Sequence, residues 1–251
     1  RVVPKGTAFE PRLYELSGLP PDRAQSMESD FMAKLDTQAA EALQLLEAGL
    51  PDRSWTSKPR SAWSRFILTQ MLRAPEDIAQ LKSSVHEEWS KAIPRLQAAY
   101  AAGRSPDMPE SVDDYLRQLD DGDTDHFALK IARTLMNHPK ICQLINNMHW
   151  RVLTIPENAP ALVTSDRPVW TTITLTEPDA FISMPIGPRS LFLAAPAPDT
   201  LRRIMANPVA GHVEARNLLA IQHAVKFAYG IDDQALAVAQ RELATRRHSS
   251  L

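Results

Sequence analysis

At 251 residues, with 44% hydrophobic and 23% charged side chains, the chain can bury a core without disulfides and is too apolar to stay disordered. Its formal charge of -2 argues against the broad basic surface that non-specific phosphate binding requires, so a nucleic-acid partner is not expected. One cysteine, Cys142, leaves no internal disulfide and no CxxC cluster, which fits a reducing cytoplasm, and no apolar run approaches the length of a membrane span.

The sequence starts at Arg1 without a methionine and without an apolar run behind a basic start, so further natural residues are expected upstream and a signal peptide is not. Phe31, Leu35, Ala39, Ala42, Leu43 and Leu46 then recur at three and four residues and predict a long helix that Gly49 and Pro51 end. Residues 61–73 predict a second helix, stopped by Pro75, and residues 76–102 a third, in which Pro94 should cause a kink or break. Ser111 can cap a short helix over 112–119. Asp123 or Thr124 can open another that carries Phe127, Ile131 and Leu135, with Ile141, Leu144 and Ile145 following the interruption at Pro139.

From His149 the apolar residues come in short runs broken by proline. "HWRVLTI", "ALVTS", "FISMPI" and "SLFLAA" read as strands, with turns at "PENAP" and "GPR". Helices return over residues 199–205, 209–227 and 232–246. The pattern predicts an α+β fold, a predominantly helical layer packed on a small, mainly antiparallel sheet. It is read as a single domain over 1–251: a helical part at about 21–148, the sheet at about 149–195 and C-terminal helices at about 199–246.

Residues that could carry chemistry are few. The run "ALVTSDRPVW" starts at Ala161 as an apolar strand and ends on a carboxylate, Asp166. In the second helix Gln70 shares the apolar face of Trp63 and Ile67, and Arg73 falls beside it, so an amide and a guanidinium need acceptors if that face is buried. Asp166 is the candidate acceptor. Three readings stay open: Asp166 as a turn former ahead of Pro168, a buried ion pair with Arg73, or a polar pocket. In the pocket Asp166 acts as general base or metal ligand, Arg73 clamps an anion, Gln70 adds its amide, Glu28 or Asp30 supplies a second carboxylate, and Thr164 and Ser165 touch the ligand. None of the seven histidines has a two-ligand spacing, so no metal is expected; His149 and His223 sit among apolar residues and read as core histidines. Without GxSxG, P-loop or GxGxxG no cofactor is expected either.

The long helix "SMESDFMAKLDTQAAEAL", then "FILTQMLRAP", "HWRVL", "LVTSDRPV", "ISMPIGPRSLFLA" and "ARNLLAIQHAVKFAYG" together resemble the uncharacterised bacterial family catalogued as domain of unknown function 4238, in order and spacing from about Met27 to Tyr229. The resemblance implies that family's fold, a soluble bacterial protein, and Gln70, Arg73, Thr164, Ser165, Asp166 and Pro185 as the matching motif positions, with Asn217 as a further match. Arg167 departs from the family's usual asparagine. The His-x-x-Pro-x-x-Tyr element with which such proteins tend to open is lacking, so a site that uses that histidine is either incomplete here or completed by residues upstream of Arg1. The resemblance implies no reaction.

Three functions therefore compete. A hydrolase, perhaps nuclease-like, would use the region around Asp166, with Arg73 binding an anionic substrate. A stress- or defence-associated interaction module would present a helical face and use Asp166 only for a turn. A small-molecule sensor would hold its ligand between the helical layer and the sheet. No particular partner is indicated.

Overall fold

The computed structural model describes residues 13–14, 27–49, 55–119, 124–172, 174–243 and 245, apart from the side chains at 28, 29, 117 and 119. The fold is α+β, and the change of hydrophobic period at His149 marks where helices give way to strands. The described residues fall into two compact units, one taking Leu35–Ala74 and the chain from His138, the other centred on residues 75–137.

A short π-helical stretch, Met27–Met32, precedes α1 (Ala33–Glu47), which from Leu35 belongs to the first unit and is followed by Gly49 with a φ of 66° that favours glycine. Helix α2 (Ser57–Leu72) starts one turn earlier than its apolar stripe suggests, because Pro59 is tolerated in a first turn whose N–H groups need no helical partner. Arg60 fixes α2 against the end of α6 (Pro139–Asn147). Its guanidinium donates to the carbonyls of Asn146 at 2.8 Å and Met148 at 2.5 Å and lies 3.9 Å from the Trp150 ring centroid.

The sheet contains β1 (His149–Thr154), β3 (Trp170–Thr171), β4 (Ile182–Gly187) and β5 (Ser190–Ala195), ordered β1-β5-β4-β3 and antiparallel throughout. Both of its faces are covered. Trp150, Ile182, Met184, Phe192 and Ala194 pack with Trp63, Ile67 and Ile145 of the helical layer. On the opposite face Leu153, Leu191, Leu193 and Ala195 pack with Leu201 of α7 (Pro198–Ala206) and Val213 of α8 (Val209–His223). Double coverage explains why "SLFLAA" shows no polar alternation: successive side chains of β5 enter different cores.

Three readings of the sequence need correction. "ALVTS" is not a strand of the main sheet; only Thr164–Ser165 (β2) pair, in a separate two-stranded ladder with Ala228–Tyr229 (β6). Helix α8 stops at His223, not Phe227, and residues 224–229 turn back to supply β6. His149, read as a core histidine, is exposed at the start of β1. The last described helix, α9, covers Leu236–Glu242 within the expected 232–246.

In the second unit α3 (Pro75–Gly103) continues through Pro94, so of the expected kink or break the break does not occur. Helix α4 (Val112–Leu119) is capped as expected, its Asp113 and Asp114 N–H groups donating to Ser111 Oγ at 3.1 and 3.4 Å. Helix α5 (Thr124–Met136) docks on α3 partly through Lys82 and Asp125, 2.9 Å apart. Among the described residues no helix is long and apolar enough to cross a membrane.

Candidate functional site

Asp166 is met by a segment distant in sequence. The N–H of Val225 donates to its Oδ1 at 2.9 Å, and those of Lys226 and Phe227 to its Oδ2 at 2.6 and 3.0 Å. Its own N–H donates to the Phe227 carbonyl at 3.1 Å. The carboxylate thus holds the turn that follows α8. Backbone donors were expected for it, but from the turn after Asp166, with Arg73 or Gln70 beside them. Ser165 is equally committed: its hydroxyl donates to the Arg167 carbonyl at 3.0 Å and accepts the Arg167 N–H at 3.2 Å, closing a local turn. Thr164 lies in the β2–β6 ladder opposite Tyr229.

Helix α8 answers with two side chains that the sequence reading did not place. Asn217 Oδ1 accepts the Val163 N–H, and its Nδ2 donates to the Ala161 carbonyl, both at 2.8 Å, so its amide stands in for a neighbouring strand. Arg216 Nη2 donates to the Pro168 carbonyl at 2.6 Å. The signal for both was present. In "VEARNLLAI", Val213, Ala220 and Ile221 are fully buried, and helical spacing puts Arg216 and Asn217 on the same face. Asp166, Asn217 and Arg216 together tie residues 161–168 to α8 and its exit.

Burial lowers the pKa of Arg216 to about 10. Below that pH both folded and unfolded chains hold the proton, so the cost of burying the cation is fully present at neutral pH and is relieved only as pH rises above about 10. A shift of this size corresponds to roughly 3 kcal/mol, comparable to the roughly 1.5–3 kcal/mol of a hydrogen bond to a charged group. Arg216→Met should therefore lie within about 1 kcal/mol of the parent protein in urea titrations at pH 7. A loss above about 3 kcal/mol would show that the bond to Pro168 outweighs desolvation.

Pro168 also explains an opening in the sheet. Strand β3 pairs Trp170 with Ser183 and Thr171 with Ile182. Two residues further along that register Pro168 would face Pro185, and neither proline has an N–H to donate, so the ladder ends there. Beside this break lies a cavity of about 350 Å³ in the first unit, lined by both prolines and by Met184 and Ile186 from β4. Helices α1 and α2 contribute Leu43, Trp63 and Phe66 to its apolar wall, and Asp36, Gln70 and Arg73 are its polar residues. Arg73 donates to Asp36 Oδ1 at 3.3 Å, with its guanidinium 5.7 Å from the Phe66 ring centroid. Gln70 has no hydrogen-bond partner among the described residues, and neither has the buried indole N–H of Trp63.

Gln70, Arg73 and Pro185 thus converge on this cavity, and Asp166 reaches it only through its neighbour Pro168. Asp30 is exposed, 3.9 Å from Lys34, and the Glu28 side chain lies outside the described residues. Among the described residues no group of three or more His, Cys, Asp or Glu could hold a metal. Cys142 is half-buried, and desolvation raises its thiol pKa, which keeps it in the unreactive protonated form.

The profile of a family described as "Protein of unknown function (DUF4238)" matches residues 1–234. This chain belongs to the DUF4238 family. Comparison with curated proteins and with solved structures returns no match. Within this DUF4238 chain the motif positions divide into two groups. Thr164, Ser165, Asp166 and Asn217 organise backbone, whereas Gln70, Arg73 and Pro185 line the cavity.

Proposed function

We propose that this DUF4238 protein is a cytoplasmic bacterial small-molecule-binding protein whose site is the cavity between α1, α2 and the proline-broken edge of β4. The observation that carries the reading is the convergence of Gln70, an amide without a partner among the described residues, with Arg73 on an otherwise apolar, aromatic-walled space. A small number of polar groups on an apolar wall is the usual make-up of a ligand site, and the volume falls at the lower end of the range for such sites. Hydrolysis with Asp166 as base has less support, since both of its oxygens already accept backbone N–H groups. A stress- or defence-associated interaction module would draw on Phe127 and Leu135 of α5, 50% and 41% exposed, but exposed apolar side chains of this kind are ordinary on a protein surface.

Titration with benzyl alcohol, followed by NMR, tests the cavity directly. The methyl resonances of Leu43 and Met184 and the indole of Trp63 should shift, while those of Leu201 and Val213 on the other face of the sheet should not. Ala40→Trp, which puts an indole on the cavity wall, should suppress the shifts. Shifts spread equally over both faces, or none at millimolar probe, would sink the reading.

A further inference from the structure

The polar residues of the cavity are not equivalent. Asp36 and Arg73 face each other at 3.3 Å, and the Arg73 guanidinium also lies over the Phe66 ring, so the two charges neutralise each other and both groups are engaged before any ligand arrives. A charged ligand entering the cavity would shed water without meeting a net opposing charge, which costs an ion far more than an uncharged molecule. Gln70 differs. It lines the same space, it is half-buried, and its amide has no hydrogen-bond partner among the described residues. An amide carries an acceptor and a donor side by side in one plane, so a ligand with the complementary pair uses both, whereas a lone carbonyl uses only the donor.

Resting on the small-molecule reading above, we propose that the cavity binds an uncharged, planar aromatic ligand that carries a carboxamide or an equivalent pair of adjacent donor and acceptor. The ligand carbonyl accepts from Gln70 Nε2 and the ligand N–H donates to Gln70 Oε1, which closes two hydrogen bonds in one plane. The Asp36–Arg73 pair stays closed, because a neutral ligand has nothing to gain from opening it. The ligand ring packs on the wall that Phe66 and Trp63 form, their rings stacked with centroids 5.2 Å apart, together with Leu43 and Met184.

The experiment compares benzamide, acetophenone and benzoate by NMR titration of the full chain, with benzyl alcohol as the probe of the cavity itself. Acetophenone has the shape of benzamide with a methyl group for the NH2, and it is the more apolar of the two, so a preference for benzamide cannot come from apolar burial. Benzamide should bind at least about threefold more tightly than acetophenone, the size expected of one added hydrogen bond. Benzoate, which has the same outline and a full charge, should bind more weakly than benzamide. In Gln70→Met, which keeps the length of the side chain and removes the amide, the order should reverse in favour of acetophenone, and unchanged methyl resonances of Leu201 and Val213 on the other face of the sheet report that the variant is folded. The decisive quantity is the ratio of two ligands within one protein, so a general loss of affinity in the variant does not imitate the result. Acetophenone equal to or tighter than benzamide in the parent protein would overturn the carboxamide class, and benzoate equal to or tighter than benzamide would overturn the neutral one. A preference for benzamide that persists in Gln70→Met would remove Gln70 as the partner and the proposal with it. If benzyl alcohol binds while benzamide fails, the ligand class is wrong and the cavity reading survives; if neither binds, both fall.

Discussion

Asn217→Leu should cost about 2–6 kcal/mol, the larger of two effects expected from cutting the ties between α8 and residues 161–168. Leucine has nearly the shape of asparagine, so packing changes little. What changes is that the Val163 N–H and the Ala161 carbonyl, both held at 2.8 Å by one 9%-exposed amide, lose their partner in a place that water enters poorly. Each unsatisfied buried group costs about 1–3 kcal/mol, which sets the range. Asn217→Asp should be no milder: one oxygen still accepts from Val163, but the other then faces the Ala161 carbonyl with a buried negative charge. Urea unfolding should show the midpoint falling with little change in slope, and exchange of the Val163 amide hydrogen should accelerate. An unchanged midpoint in Asn217→Leu would mean that residues 161–163 hold their course without the amide.

Asp166→Ala should cost about 2–4 kcal/mol and Asp166→Asn about 1–3 kcal/mol. Alanine leaves the N–H groups of residues 225–227 to water. Asparagine with its oxygen at the Oδ2 site still accepts the N–H groups of residues 226 and 227 but turns its NH2 group towards the Val225 N–H, so that bond is lost and the other two no longer have a charged acceptor. The Lys226 amide is exposed enough for water to compensate in part, which places Asp166 below Asn217 in effect. For a chain of this size the losses correspond to a fall in Tm of roughly 3–15 °C. A general base would behave otherwise, since its removal leaves stability nearly unchanged while abolishing an activity. Thermal melts of the two variants decide between the roles before any substrate is known. Because Asp166 and Asn217 secure the same segment, the double variant should lose less than the sum of the two.

Much of the local structure is written in the sequence because its causes lie within a few residues. The stripe from Leu35 to Leu46 gives α1, the Ser111 hydroxyl reaches two and three residues forward to cap α4, and "GPR" turns β4 into β5. The shift of period at His149 locates the sheet for the same reason, since side-chain alternation is a property of successive residues. The errors occur where a distant group outbids local preference. Helix α8 ends at His223 although apolar spacing continues, because the N–H groups of residues 225–227 find the carboxylate of Asp166 instead of helical carbonyls.

The candidate site divides in the same way. That Gln70, Arg73 and Asp166 are unusual could be read from their apolar surroundings, since a polar group on a greasy face needs a partner wherever the chain leads. Which partner it meets could not. Arg73 pairs with Asp36, 37 residues before it, and Asp166 with amides 59 to 61 residues after it. The cavity depends on Pro168 and Pro185 falling opposite each other in a register that exists only once β3 and β4 have paired. Sequence alone determined which groups would seek partners and where the regular elements lie; tertiary structure decided the pairings, because hydrogen bonds and strand registers link residues by position in space, and spacing along the chain constrains that position only over a few turns or one hairpin.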